Sequence, residues 1–131
     1  PDSRTLAVVT APEDNLEILL VDVNTGETIN LTQNPAIDFM PVWSSDGTQM
    51  AFVSTRFGRA EVGVIDLNTS QIIQLTFDGG SNPSWSPDNA WITYESTLTG
   101  NRDIFRVRPD GTDRQQITFH LSSDYDAVWR P

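Results

Sequence analysis

The 131-residue sequence predicts an all-β chain built from three four-stranded antiparallel units. Three observations carry that expectation. One set of landmarks recurs three times at fixed spacing, the apolar runs have the length and residue types of strands, and no stretch shows the 3.6-residue period of an amphipathic helix. Trp43 opens Trp-Ser-Ser-Asp-Gly, Trp85 opens Trp-Ser-Pro-Asp-Asn and Trp129 opens Trp-Arg-Pro, at intervals of 42 and 44 residues. An acid stands 18 residues after each of the first two tryptophans, at Glu61 and Asp103, and a Leu-Thr or Ile-Thr pair begins 14 residues after that acid, at Leu75 and Ile117. Glu17 and Leu31 keep the same interval of 14.

In chain order, the first unit has strands at residues 6–10, 17–23 and 29–32, where β-branched and aliphatic residues run between turn formers. The middle unit has strand A at residues 41–44, B at 50–55, C at 61–67 and D at 72–76. The A–B connection Ser45-Asp46-Gly47-Thr48 contains an Asp-Gly pair, as does the C–D connection Asp110-Gly111-Thr112, and Asn24-Thr25-Gly26 is similar. Glycine there supplies the positive φ that tight hairpins need. The landmarks divide the chain into units 1–44, 45–86 and 87–131, each cut between strands A and B. Asp2 is in phase with Asp46 and Asp88, which places the ruler's first tryptophan at position −1. The first unit is therefore expected to lack its inner strand A, and residues 126–129 to be an inner strand without a unit of their own. With Pro at position 1 and no signal-like stretch, the expectation is a processed chain or an excised segment.

A four-stranded meander repeated every 40 to 45 residues or so is the pattern of a propeller blade, which buries its faces only against neighbouring blades. The wording of the repeat then points to a family. Pro-x-Trp-Ser-x-Asp-Gly, the apolar Ala51-Phe52-Val53-Ser54-Thr55, a Gly-x-x-Glu turn, a strand ending in Asp and a closing Leu-Thr resemble the TolB-type propeller repeat over essentially the whole chain. Similar repeats occur in the propellers of tricorn and prolyl-oligopeptidase-like peptidases. The departures are local: Ser45 replaces the turn Pro in the second unit, Asn89 the turn Gly in the third, and Arg130 the Ser after Trp129.

Composition narrows the function classes. Eighteen acids against eight bases give a net charge of −10, which repels nucleic-acid phosphates and anionic membranes. All eight bases are Arg, so lysine Schiff-base chemistry is excluded, and the absence of Cys excludes disulfides, thiolate nucleophiles and Cys-ligated zinc. No wholly apolar run is longer than that of residues 18–21, far short of the roughly 20 residues of a membrane span. His120 is the single imidazole and is read as a solvated loop residue without an assigned partner. No Gly-x-Ser-x-Gly elbow supports a Ser/His/Asp triad, and neither Asp-Gly turn continues into an EF-hand loop. No catalytic residue, metal or cofactor is expected.

The repeated landmarks read first as architecture. Trp43, Trp85 and Trp129 are expected to fill the wedge between blades. Asp46 and Asp88 should accept backbone N–H groups in their turns, and Glu17, Glu61 and Asp103 should tie down the loop between strands B and C. Because strands alternate in direction, the D–A and B–C loops share one face and the short A–B and C–D hairpins the other. The loop face holds the irregular chemistry, and the expected ligand-binding residues there are Asp38, Phe39, Arg56, Asp124, Tyr125 and Asp126. Such an acidic, aromatic rim suits a cationic peptide or a divalent ion, while ion pairing of Arg56 and Arg102 with the acids is the competing expectation.

Two functional readings follow. The resemblance implies an extracytoplasmic, periplasmic or extracellular, non-catalytic protein-binding platform. The rival is an accessory substrate-gating propeller separated from a peptidase-like enzyme, or a designed or excised fragment without a ligand. Three blades do not close a disc, so two copies are expected to form a six-bladed ring, strand A of each completing the first blade of the other.

Overall fold

The computed structural model describes residues 3–11 and 15–131. Pro1 and Asp2, on which the phase of the first unit and the expected approach of Pro131 to Pro1 rest, lie outside the described residues.

All regular elements among the described residues are strands, arranged in three antiparallel meanders. The first sheet holds β1 (Thr5–Thr10), β2 (Glu17–Asp22) and β3 (Thr28–Asn30) in the order β1-β2-β3. The second runs β4 (Asp38–Trp43), β5 (Gln49–Ser54), β6 (Glu61–Asp66), β7 (Ile72–Gln74), and the third β8 (Ser81–Trp85), β9 (Ile92–Ser96), β10 (Asp103–Val107), β11 (Gln115–Gln116). Among the described residues the first sheet holds three strands, in the positions of B, C and D of the other two.

Several bounds differ from the sequence expectation, each for a local reason. Strand A begins at Asp38 instead of residue 41, because a register shift between Phe39 and Val42 carries the ladder past a bulge. The bulge residue Met40 is left-handed, at φ 53°, as are its counterparts Asn82 and Asp126 at 48° and 58°. Strand C ends at Asp66, whose carboxylate turns back to accept the amides of Asn68 and Thr69. Strand D ends at Gln74, since the amides of Leu75 and Thr76 both converge on the carbonyl of Val62. The expected inner strand at residues 126–129 is not a ladder strand. Among the described residues it pairs with no strand, although the Trp129 indole docks on the third sheet at 3.1 Å from the Ser84 carbonyl.

Two apolar seams join the sheets. Ile18 of the first sheet packs with Met50, Phe52 and Ile65 of the second, with Trp43 and Leu20 at the edge. On the opposite face of the second sheet, Ala51, Val53, Val62, Val64 and Leu75 meet Trp85, Ile92, Tyr94, Phe105 and Val107 of the third. Alternate residues of β5 feed the two seams, so both faces of the middle sheet are buried. Each fully buried side chain of this size contributes about 1.5–3 kcal/mol. Trp43 and Trp85 pack in the seams as expected, and the Trp85 indole N–H donates to the Val42 carbonyl of the preceding inner strand at 3.1 Å. Burial also pushes the Tyr94 hydroxyl up to about 12.

Candidate functional site

The face that carries the D–A and B–C loops is built on one repeated buried device. Glu17, Glu61 and Asp103 are all buried at the start of strand C. Thr32 donates its hydroxyl to Glu17 at 2.8 Å and Thr76 to Glu61 at 2.5 Å. The same threonines accept the next amide of strand C, from Ile18 and Val62. The carboxylates also reach the D–A loop, where Glu61 accepts the Gly79 amide at 2.9 Å and Glu17 that of Asn34 at 3.3 Å. In the third sheet the acid is one carbon shorter, and Gln116 at 3.0 Å and Thr99 donate to Asp103 instead. Two residues before each acid, Asn15, Arg59 and Asn101 bond both the acid and a D–A loop carbonyl. Each clamp therefore fixes strand D, the B–C loop and the D–A loop to one buried carboxylate.

The loop residues expected to bind a ligand are placed in three ways. Asp38 is fully buried and paired with the Arg56 guanidinium at 2.9 Å, with Asn34 donating to the same carboxylate oxygen at 2.7 Å. Phe39 is half-buried against the seam of the second and third sheets. These three positions brace the rim, in line with the ion-pairing expectation, and Arg102 likewise pairs with buried Glu95 at 3.2 Å. At the other end, Asp124, Tyr125 and Asp126 lie together on one loop. Asp124 accepts from His120, whose Nδ1 is 2.9 Å away, so the imidazole has a partner that the sequence reading did not assign, although its side chain is 72% exposed. That hydrogen bond, followed by one from Thr118, holds the Asp124 carboxyl below its usual range. The Asp126 amide donates to Glu95 at 2.8 Å, while its carboxylate and the Tyr125 ring stand exposed. The bulges of the three inner segments, from Met40, Asn82 and Asp126 onward, line one concavity of about 360 Å³ beside this rim. Among the described residues no group of three His, Cys, Asp or Glu side chains is positioned to hold a metal ion.

Residues 1–83 match the TolB beta propeller domain family. The chain belongs to that family. A TolB homologue of Chlorobium luteolum is 36% identical over 107 residues, covering 81% of the chain and 24% of the homologue. The Tol-Pal system protein TolB of Wolinella succinogenes is 31% identical over 101 residues, with 76% and 24% covered. This TolB-family chain superposes on a TolB-type structure from Agrobacterium tumefaciens with a TM-score of 0.85 at 28% identity, over 95% of the chain and 46% of that protein. The tricorn protease shares the fold at a TM-score of 0.69 and 17% identity, over 93% of the chain and 13% of the protease. The chain thus spans about a quarter of the TolB relatives that it matches.

Sequence reasoning missed a second feature of the loop face. Phe77 and Phe119 follow the closing threonines Thr76 and Thr118 and occupy the same position in their units. Both rings are exposed, with Leu98, Leu121 and Tyr125 exposed on neighbouring loops. The signal was present in the repeated Leu-Thr-Phe and Ile-Thr-Phe, but a Phe after a strand reads as core until its burial is known. The backbone explains its direction, because the Arg59 clamp binds the Phe77 carbonyl and leaves the side chain outward.

The opposite face of this TolB-family chain is committed to its own turns. Asp46 accepts from the Thr48 amide at 2.9 Å and the Ser44 hydroxyl at 2.7 Å, and Asp88 from the Ser86 hydroxyl at 2.6 Å and the Ala90 amide at 3.0 Å. Asn89 takes the left-handed place of Gly47, at φ 58° against 72°, and its side chain accepts the Ser45 amide at 2.7 Å across the seam. Backbone amides foremost hold the Asp22, Asp46 and Asp66 carboxyls low, and neighbouring hydroxyls foremost do so for Asp88 and Asp110. A carboxyl lowered in the folded state binds fewer protons than in the unfolded chain, so its stabilisation is full above about pH 4 and is lost as pH falls further. The urea midpoint, followed by tryptophan fluorescence, is expected to stay level from about pH 7 to 5 and to fall below about pH 4. A midpoint that rises on acidification through that window would show that relief of the net charge of −10 outweighs the turn carboxylates.

Proposed function

We propose that this chain is a non-catalytic protein-binding platform that uses its D–A/B–C loop face. The observation that carries the reading is the contrast between the two faces: exposed Phe77, Phe119 and Tyr125 stand with the Asp126 carboxylate on rigidly clamped loops, whereas the hairpin acids are spent on their own turns. Exposed aromatics supply contact area at low entropic cost, and rim carboxylates steer a cationic partner. The fitting partner is a protein segment with alternating basic and apolar side chains. Asp124, Tyr125 and Asp126 would contact it directly, while Asp38, Phe39 and Arg56 hold the rim in shape. The family resemblance supports a site of action outside the cytoplasm, in the periplasm or extracellular space. In the 131-residue chain, a second copy would supply the three further blades of a six-bladed ring.

The test is a titration with a labelled peptide of alternating lysine and leucine, read by anisotropy at two salt concentrations. The double substitution Asp124→Arg with Asp126→Arg is expected to weaken binding about tenfold and to flatten its salt dependence, with Phe77→Ser weakening it comparably. Asp46→Asn should leave affinity unchanged. Loss of binding on Asp46→Asn with none on the loop substitutions would place the surface on the other face. Peptide hydrolysis abolished by a loop-carboxylate substitution would replace the platform with an enzyme.

A further inference from the structure

We propose that Glu95 is a positioning residue for the Asp124–Asp126 rim, acting with Arg102 and Asn82 as a polar lock built into the third sheet. This rests on the platform reading above and assigns what holds its acidic rim in place.

The strand registers identify one position of the repeat at which the third unit departs from the other two. Val9 lies opposite Ile18, Val53 opposite Val62 and Glu95 opposite Ile104, and each of those partners directly follows the clamp acid of its unit. The position is valine twice and glutamate once. Val53 is fully buried in an apolar seam, and Glu95 is just as thoroughly buried, at 2% exposure. Two further departures meet the carboxylate. Arg102 directly precedes Asp103 where Leu16 precedes Glu17 and Ala60 precedes Glu61, and Asn82 occupies the inner-strand bulge where the second unit has Met40. Glu95 Oε1 accepts the Asn82 side-chain amide at 2.8 Å, and Oε2 accepts the Arg102 guanidinium at 3.2 Å. Three positions that are apolar in the second unit are thus polar in the third and bonded to one another.

What the lock holds is the rim. Glu95 Oε1 also accepts the Asp126 backbone amide at 2.8 Å. Asp126 is left-handed, at φ 58°, a conformation that a residue other than glycine keeps where its surroundings determine it. Two residues earlier the Asp124 amide donates to the Arg102 carbonyl at 2.7 Å, as the Asp38 and Gly80 amides do to Leu16 and Ala60. That backbone bond is common to the three units, whereas the bond to Asp126 needs a side-chain acceptor that Val9 and Val53 cannot supply. Tyr125 is therefore bracketed by two anchored amides, and its ring and the Asp126 side chain stand exposed beyond them. A buried ion pair stabilises a fold little more than the apolar residues that fit its place, so the contribution of the lock is geometric. It presents the ring and the carboxylate in one arrangement, and a surface ordered beforehand loses less freedom when a partner binds.

Glu95→Val gives the third sheet the residue of the second, and Glu95→Gln keeps an accepting oxygen. The Arg102 side chain is 47% exposed, so its guanidinium passes to solvent when the carboxylate is removed. The triple variant Asn82→Met, Glu95→Val and Arg102→Ala reproduces the residues of the second unit and serves where the single change destabilises the sheet. Amide exchange is to be measured at Asp126 and, as a control within the third sheet, at Phe105, beside anisotropy titration with the lysine–leucine peptide. In Glu95→Val the Asp126 amide is expected to exchange about tenfold faster with Phe105 unchanged, and the peptide to bind about fivefold more weakly. Glu95→Gln should recover most of both losses. Unchanged Asp126 exchange in Glu95→Val and in the triple variant would overturn the lock. Faster exchange with unchanged affinity, while Asp124→Arg with Asp126→Arg weakens binding, would overturn the positioning role and leave the platform standing. No binding by the unmodified chain would overturn the platform reading itself, and the lock would then stand or fall by the Asp126 exchange.

Discussion

Trp85→Ala is expected to lower the free energy of unfolding by about 3–5 kcal/mol, the range for deleting a large aromatic from a packed interior. The ring is almost wholly buried in the seam of the second and third sheets, where it meets residues from both. Its loss removes apolar burial, leaves a cavity between two sheets that relax only partly, and strips the Val42 carbonyl of its indole donor at 3.1 Å. Trp85→Phe keeps most of the volume and loses chiefly the hydrogen bond, so it should cost about 1–2 kcal/mol. Urea unfolding of the two variants measures the difference. Equal costs would mean that the hydrogen bond, not the packing, holds the seam.

Glu61→Ala is expected to cost a comparable 3 kcal/mol or more, by a different route, since hydrogen bonds to a charged group are worth about 1.5–3 kcal/mol each. The side chain is buried and accepts the Thr76 hydroxyl at 2.5 Å and the Gly79 amide at 2.9 Å, which lose their partner together. The Arg59 contribution is small, because that guanidinium is 57% exposed and screened by solvent. Glu61→Gln retains an accepting oxygen and should recover about half of the loss, whereas Glu27→Ala on an exposed turn should be near neutral. Hydrogen exchange adds a spatial readout: protection of the Gly79 amide should fall in Glu61→Ala before that of the β5 amides does. Uniform loss across the chain would mean that the carboxylate stabilises the whole fold without locally fixing the D–A loop.

Much of the architecture was legible because a repeat samples each physical requirement more than once. Tryptophan, turn aspartate, buried acid and closing threonine each serve one geometric need, and their spacing disclosed the strands between them. Departures were legible only with coordinates. The bulge at Met40, Asn82 and Asp126 has no common residue type, since its requirement is a backbone angle and not a side chain. The role of Ser44 and Ser86, which bridge the turn aspartate to the far side of the hairpin, was hidden among many serines. At the candidate site, the sequence could not rank the acids and aromatics, and it read Asp38 and Phe39 as loop residues although both lie in β4. Asp38 and Asp124 occupy equivalent positions, and only the presence of Arg56 near one and His120 near the other decides which is sealed and which stays open. Phe77 and Phe119 escaped notice because hydrophobic patterning does not tell a ring that leaves a strand for solvent from one that leaves it for the core.

The platform reading is tested most directly by amide chemical-shift mapping while the lysine–leucine peptide is added to the isotope-labelled chain. The account predicts shifts concentrated at Phe77, Phe119 and residues 124–126, with the turns around Asp46, Asp88 and Asp110 unmoved. Shifts centred on those turns, or none at saturating peptide, would contradict it.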